Sequence, residues 1–354
     1  MLKKYSLIFS FFVLLYSVGY SQLGGDKAYT FLEQPLSARI SALGGNQAAI
    51  NDGDLNVAFV NPSMINPSLN NSLALNYTNY FASTNFGSIQ YANTFKKAGS
   101  FMATIQFMDY GTFDYADEGG NLGGTFGASD FAFNVGWGRQ LDSSFSIGAA
   151  AKLIYSFYEG YNSFGFAVDV AGTWASKTGW TMSLIASNLG MQITTFTPGV
   201  RSPLPFNLQY ALSKRLDHVP FLFSFIYDHI EKWDLTYSDP NNPSGGFDPI
   251  TGEPIEKTGM AQITDQFMRH IILGAEVYIG KNIVLRGGYN YRRRQEGKIN
   301  EKPGMVGFSW GIGVRIYKFK INYARAAHHL IGSPNYLSLT FDINSFSDDK
   351  VVRF

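Results

Sequence analysis

The feature that most constrains this chain is an alternation of apolar and polar residues that persists through its last third. Ile271, Leu273, Ala275, Val277 and Ile279 share one parity, and Ile283, Leu285, Gly287, Tyr289 and Tyr291 share the next. Val306 to Ile316, Phe319 to Tyr323 and Leu337 to Ile343 continue the pattern. The opposite parity carries Glu276, Arg286, Asn290, Ser309, Arg315, Lys320, Asn322, Ser338, Thr340 and Asp342. Side chains of a strand point alternately to its two faces, so each segment has one apolar and one polar face. Nine earlier segments behave the same way, beginning with Leu73, Leu75 and Tyr77 and ending with Phe221, Phe223, Phe225 and Tyr227. The total is fourteen, an even number.

Connections alternate in length. Tight turns follow the even strands, at Lys96–Gly99, Gln140–Ser144, Ser176–Gly179, Arg215–His218, Gly280–Asn282 and Tyr317-Lys318. The long connections are Tyr110–Ser129, Leu189–Leu204, Glu231–Phe267, Arg292–Gly304 and Ala326–Asn335. Many strands exceed the ~5–6 residues usual in soluble sheets and match the ~9–11 of a tilted membrane strand. A soluble β-sandwich would not call for this regular alternation of turn and loop. Lipid also demands closure, because an open sheet edge would leave backbone groups unpaired in hydrocarbon. The fold class expected is all-β: an outer-membrane barrel of about fourteen antiparallel strands over residues 71–346, with short turns at one rim and long loops at the other. Aromatic residues at 16% and 37 glycines agree with girdles and tight turns.

The ends of the chain differ from its middle. Residues 1–21, with Lys3 and Lys4 before the apolar run Leu7 to Val18, read as a signal peptide cleaved after Ser21. Residues 22–70 lack strand periodicity. Glu33 to Leu43 reads as a short helix, with Leu36, Ile40 and Leu43 on one face and Gly44-Gly45 as its stop. Asn61-Pro62 reads as a second helix start. Fourteen strands enclose more lumen than side chains alone fill, so residues 22–70 are expected to form a partly helical plug. Inward charges Lys152, Asp169, Glu276, Arg286, Arg315 and Lys320 would grip it, with Arg39 and Asp54 as partners. Residues 347–354 read as an extension beyond the barrel.

Little in the chain points to catalysis. With no cysteine there is no thiol nucleophile and no thiolate metal site. His218, His229, His270, His328 and His329 have no metal-ligand spacing, and no serine sits in a nucleophile elbow. No catalytic, cofactor or metal residue is nominated, and no cofactor is expected. A net charge of +1 gives no reason to expect nucleic acid. Arg292-Arg293-Arg294 reads as a solvated rim, with lipopolysaccharide phosphates as the alternative contact. The Pro- and Gly-rich loop around 238–258 reads as a partner-binding arm.

Fourteen strands behind an N-terminal plug that ends in Asn-Pro resemble the FadL-like barrels, outer-membrane transporters of hydrophobic compounds. The text of residues 24–66 is similar to the PorQ family of the type IX secretion system. The similarity lies in Gly24-Gly25, Tyr29-Thr30-Phe31-Leu32, Pro35-Leu36-Ser37-Ala38-Arg39, Ala42-Leu43-Gly44-Gly45, Asp52, Asp54 and Asn61-Pro62-Ser63. That resemblance implies a non-enzymatic outer-membrane anchor for a PorZ-like surface protein. It would work in an attachment complex with a PorU-like sortase and a PorV-like barrel. The FadL-like resemblance implies the alternative, a transporter of hydrophobic small molecules. This would want a lateral gap in the wall, for which the weak alternation of the second strand is a candidate, and an apolar lumen pocket, which the polar parity does not obviously offer.

Overall fold

The computed structural model describes residues 27–81, 83–117, 119–236, 259–297, 304–327 and 332–347. The signal peptide, the arm at 238–258, His328-His329 and most of the extension at 347–354 lie outside these residues.

Strict alternation gives fourteen antiparallel strands that close on themselves. They are β1 (Ser72–Asn79), β2 (Asn85–Phe95), β3 (Gly99–Ala116), β4 (Leu122–Gln140), β5 (Phe145–Tyr158), β6 (Tyr161–Ala175) and β7 (Trp180–Thr194). There follow β8 (Asn207–Arg215), β9 (Phe221–Tyr227), β10 (Ile271–Ile279), β11 (Ile283–Asn290), β12 (Phe308–Ile316), β13 (Phe319–Ala326) and β14 (Asn335–Asp342). Closure runs from Ser72 opposite Asp342 to Asn79 opposite Asn335, so Leu73 faces Phe341. Every strand then has two hydrogen-bonded neighbours, and no edge is left to satisfy.

The two parities separate as alternation requires. On β3, Ile105 is 51% exposed while its neighbours Thr104 and Gln106 are each 1% exposed. Phe131, Phe133 and Val135 of β4, and Leu153 and Tyr155 of β5, stand on the same outer surface. The outside is therefore an apolar band, and the polar parity points into the lumen. No helix among the described residues is long and apolar enough to cross a membrane; the strands do so.

The long connections are less loop-like than the sequence suggests. β3 and β4 run past the band as a hairpin, with register shifts between Asp109 and Thr112 and between Tyr115 and Ala116. The Arg292 run is helical, in Tyr291–Gly297. Strand β14 stops at Asp342, and Phe346 lies in a closing turn of helix, its ring 5.7 Å from Phe319.

Residues 27–71 fill the lumen. The expected helix from Glu33 to Leu43 is broken in two: a 3-10 turn at Thr30–Glu33, then α1 at Ala38–Ala42. Gln34, before Pro35, is extended at φ −75°, ψ 138°, as proline demands of its predecessor. Ser37 then restarts the helix, its hydroxyl accepting from the Ile40 amide. A helix the periodicity missed, α2 (Leu55–Val60), is capped by Asp54. Asn61 caps the following turn at Pro62–Met64 through the Ser63 amide. Three lumen glycines accept this segment at close range. A side chain at Gly148 would overlap Pro62, one at Gly288 would overlap Leu43 and Gly44, and one at Gly165 would meet the Tyr29 ring. Contacts with β4–β6 on one side and β11–β14 on the other show that the segment spans the lumen.

Candidate functional site: the plugged lumen

Toward the short turns the lumen holds an ionic cluster around Arg39, beside an apolar contact of the plug with Ala74, Ala92 and Met102. A further apolar cluster lies toward the long loops. Short turns mark the periplasmic rim of such barrels and long loops the extracellular one. In the periplasmic half, Arg39 projects from α1 to Glu276 on β10, with Nε to Oε1 at 2.9 Å and Nη2 to Oε2 at 2.8 Å. It also holds Asp52 at 2.7 Å and Asp54 at 2.8 Å. Arg286 on β11 donates to the same Glu276 at 2.6 Å. A buried guanidinium whose donors all meet carboxylates is the arrangement that makes burial of its charge tolerable. Of the inward charges expected to grip the plug, Glu276 alone forms an ion pair with it, and Arg286 backs Glu276. Lys152 and Asp169 pair with each other, and Asp54 pairs with Arg39 of the plug itself.

Across the lumen Lys152 on β5 meets Asp169 on β6 at 2.7 Å and Asn188 at 2.7 Å. Asp169 also accepts the Asn188 backbone amide at 2.7 Å. This fastens a bulge, because the β6–β7 register shifts between Val168 and Val170 and again between Phe164 and Gly165. The kink anticipated in the second strand is absent: β2 pairs without a shift to β1 and to β3. Ser88, Gln90 and Ala92 are inward and buried on a regular strand, so the mixed sequence there reports the lumen rather than a bend.

The extracellular half corrects a second expectation. Phe86, Met108, Ala132, Ile154 and Ala167 all point inward and form one buried cluster with Leu204. The first residues of the plug, Ala28, Tyr29, Phe31 and Leu36, occupy it. An apolar lumen pocket therefore exists, filled by the chain's own N-terminal segment. The parity of β3 and β5 carried the signal, since Met108 and Ile154 fall among polar inward neighbours. At its edge Asp130 receives the hydroxyls of Tyr110 at 2.6 Å and Tyr158 at 2.7 Å. The Tyr29 hydroxyl is 2.5 Å from Ser163 Oγ.

Among the described histidines, His229 and His270 are held within the fold. His218 is exposed in its turn. His270 is buried, with Nδ1 2.6 Å from the Asp228 carbonyl and Nε2 3.1 Å from the Trp233 carbonyl. His229 Nδ1 lies 2.8 Å from Glu231. The described residues bring no three His, Cys, Asp or Glu side chains together for a metal. The arginine run turns inward instead of forming a solvated rim. Arg292 and Arg293 line a lumen cavity of about 110 Å³ with Asp228, and Arg294 donates to the carbonyls of Gly304 and Val306. Burial acts against the charge of Arg292, but Asp228 together with Glu296, Glu33 and Glu231 outweighs it, so its pKa is raised.

No family model matches the chain, and no curated protein does. Solved structures do match. The monoaromatic hydrocarbon channel CymD aligns with a TM-score of 0.52 at 11% identity, covering 89% of this chain and 99% of that one. The toluene transporter TodX of Pseudomonas putida aligns with a TM-score of 0.50 at 11% identity, covering 87% and 96%. A FadL homologue of Pseudomonas aeruginosa aligns at 0.48, with 11% identity and coverage of 87% and 98%. The chain is an outer-membrane β-barrel. It shares its fold with CymD and TodX. The closed fourteen-strand barrel with an N-terminal plug is the architecture expected from the strand count and the N-terminal segment.

The same comparison corrects the reading of residues 24–66 as a type IX secretion anchor. The structures that share the fold are hydrocarbon channels. The residues behind that reading have structural work in the lumen: Arg39 ties the plug to the wall, Gly45 lies against Arg293, and Asn61 caps a turn. Their wording describes how a plug is seated and does not name a surface partner.

Proposed function

We propose that this barrel is a non-enzymatic transporter carrying hydrophobic small molecules across the outer membrane. The observation that carries the reading is the inward apolar cluster of Phe86, Met108, Ala132, Ile154, Ala167 and Leu204 beneath the extracellular loops. The plug's first residues fill it now, and its character is that of a ligand pocket, mostly apolar with a few placed polar groups. Asp130, Tyr110 and Tyr158 are such groups. The bulged β6–β7 seam borders the cluster, since the Tyr29 ring lies against Gly165 at one of its register shifts. The shared fold with CymD and TodX, whose names specify aromatic hydrocarbons, supports that class of cargo.

The test is uptake of radiolabelled toluene by cells that make the barrel, compared with cells that do not. The wild type should raise uptake, and Ile154→Glu, which places a charge in the fully buried heart of the cluster, should bring it to the level of the empty cells. Uptake by the wild type no faster than by empty cells overturns the reading.

A further inference from the structure

One inward row at the periplasmic mouth is left unused by plug and pocket. Arg315 on β12 stands directly opposite Lys320 on β13, and Lys320 directly opposite Thr340 on β14. All three have lumen parity, as the burial of Gly313, Asn322 and Ser338 beside them shows. Like charges directly opposite each other destabilise a sheet, and no contact ion pair offsets them; Asp54 acts on Lys320 only through space. Of the acids beside them, Asp52, Asp54 and Glu276 are joined to Arg39 and Arg286, and Asp342, at the edge of the same cleft as Thr340, accepts the Asn344 amide. Among the described residues no carboxylate lies within 4.0 Å of Arg315, Lys320 or Lys281.

The row also forms the wall between two clefts. One, of about 430 Å³, brings in Arg215 and Lys281. The other, of about 360 Å³, contains Thr340 with Ser68 and Ser345. Thr340 is 8% exposed, and its hydroxyl has no hydrogen-bond partner. A buried hydroxyl left unpaired costs about 1–3 kcal/mol unless something fills the space beside it. Two opposed cations next to an orphan hydroxyl form a donor set without an acceptor.

We propose that Arg315, Lys320 and Thr340 bind a phosphate group presented from the periplasm, as a free phosphorylated solute or a phospholipid headgroup. Adjacent strands are ~4.8 Å apart, so the row places three donors along about 10 Å. A free phosphate or phosphomonoester answers both cations with two charges. A headgroup phosphodiester answers them with one charge, shared by two oxygens that accept from the arginine fork and the lysine together.

Calorimetric titration of the full barrel, in neutral detergent at low salt, with inorganic pyrophosphate tests this. The wild type should bind saturably. Arg315→Gln with Lys320→Gln should weaken binding at least about tenfold, since each charged hydrogen bond contributes ~1.5–3 kcal/mol. Without pyrophosphate this double variant should still melt as a folded barrel, so that a loss of binding is read from the site. Lys177→Gln, on another periplasmic turn, should bind as the wild type does. In nanodiscs, weaker pyrophosphate binding with phosphatidylglycerol than with phosphatidylcholine assigns the site to headgroups; equal binding assigns it to free solute. No saturable binding, binding the double variant retains, or binding of an oligoglutamate peptide but not pyrophosphate overturns the proposal.

Discussion

Three carboxylates converge on Arg39 in a space almost closed to water; the Arg39 side chain is 4% exposed and that of Glu276 is fully buried. Removing one member of such a cluster strands the others, at a cost of about 3–5 kcal/mol. Burial by itself raises the Asp54 carboxyl, but the Arg39 guanidinium, its hydrogen bond, the Asn56 amide and Lys320 reverse this and hold it below its ordinary value of 3.8. A depressed carboxyl adds stability that is whole above the unfolded value and is lost as pH falls through the folded one. Plug seating should therefore weaken with acid below about pH 4. Asp54→Asn should melt lower than the wild type near neutrality, and the two melting temperatures should converge as pH falls toward 3 or so. Parallel curves would remove Asp54 from the grip. Arg39, Glu276 and Arg286 could each be picked from the sequence as charges needing partners. That Arg39 and Glu276, 237 positions apart, are each other's partner follows only from barrel closure.

At the level of elements, the strands were legible because a period of two survives any packing that keeps one face in lipid. The plug was legible as a plug, but the bounds of its helices were not, because they are too short to show a period. Gln34-Pro35 and the Ser37 cap cut α1 to five residues, and α2 hides behind a polar stretch that reads as a turn. The apolar lumen patch escaped because an inward Met108 or Ile154 counts as noise in an alternation. Two neighbouring glycines of β11 test the assignment of faces directly. A methyl at Gly288 would overlap the backbone of Leu43 and Gly44, whereas at Gly287 nothing lies within 4 Å. Overpacking against backbone costs about 1–3 kcal/mol. Gly287→Ala should behave as the wild type. Gly288→Ala should leave the barrel folded but speed hydrogen exchange of residues 38–45 by roughly tenfold or more. Equal exchange in both variants would mean the plug does not rest on β11.

For the whole molecule, the arrangement sets a transport problem. The apolar pocket is complete only with Tyr29, Phe31 and Leu36 inside it, and cargo of similar character can enter only where those side chains leave. Meanwhile α1 is fastened to the opposite wall through Arg39 and through the Ala38 amide, which donates to Ser338 at 2.9 Å. A plug that leaves as one body must break this attachment. One that only withdraws its first residues need not. The hydrogen bond between the Ala38 amide and the Ser338 hydroxyl makes this pair the place to engineer a disulfide, to be checked by its formation under oxidant. A chain without cysteine offers no competing thiol. If the body moves, Ala38→Cys with Ser338→Cys should take up toluene when reduced and fall to background when oxidised, with either single variant unaffected by oxidant. The buried ionic cluster favours the other outcome, because parting Arg39 from Glu276 costs several kcal/mol while residues 28–36 are held mainly by apolar contact that a hydrophobic cargo can replace. The expected result is therefore uptake that survives the cross-link, measured beside an oxidised wild-type control. Loss of uptake on oxidation would show instead that the whole plug has to move.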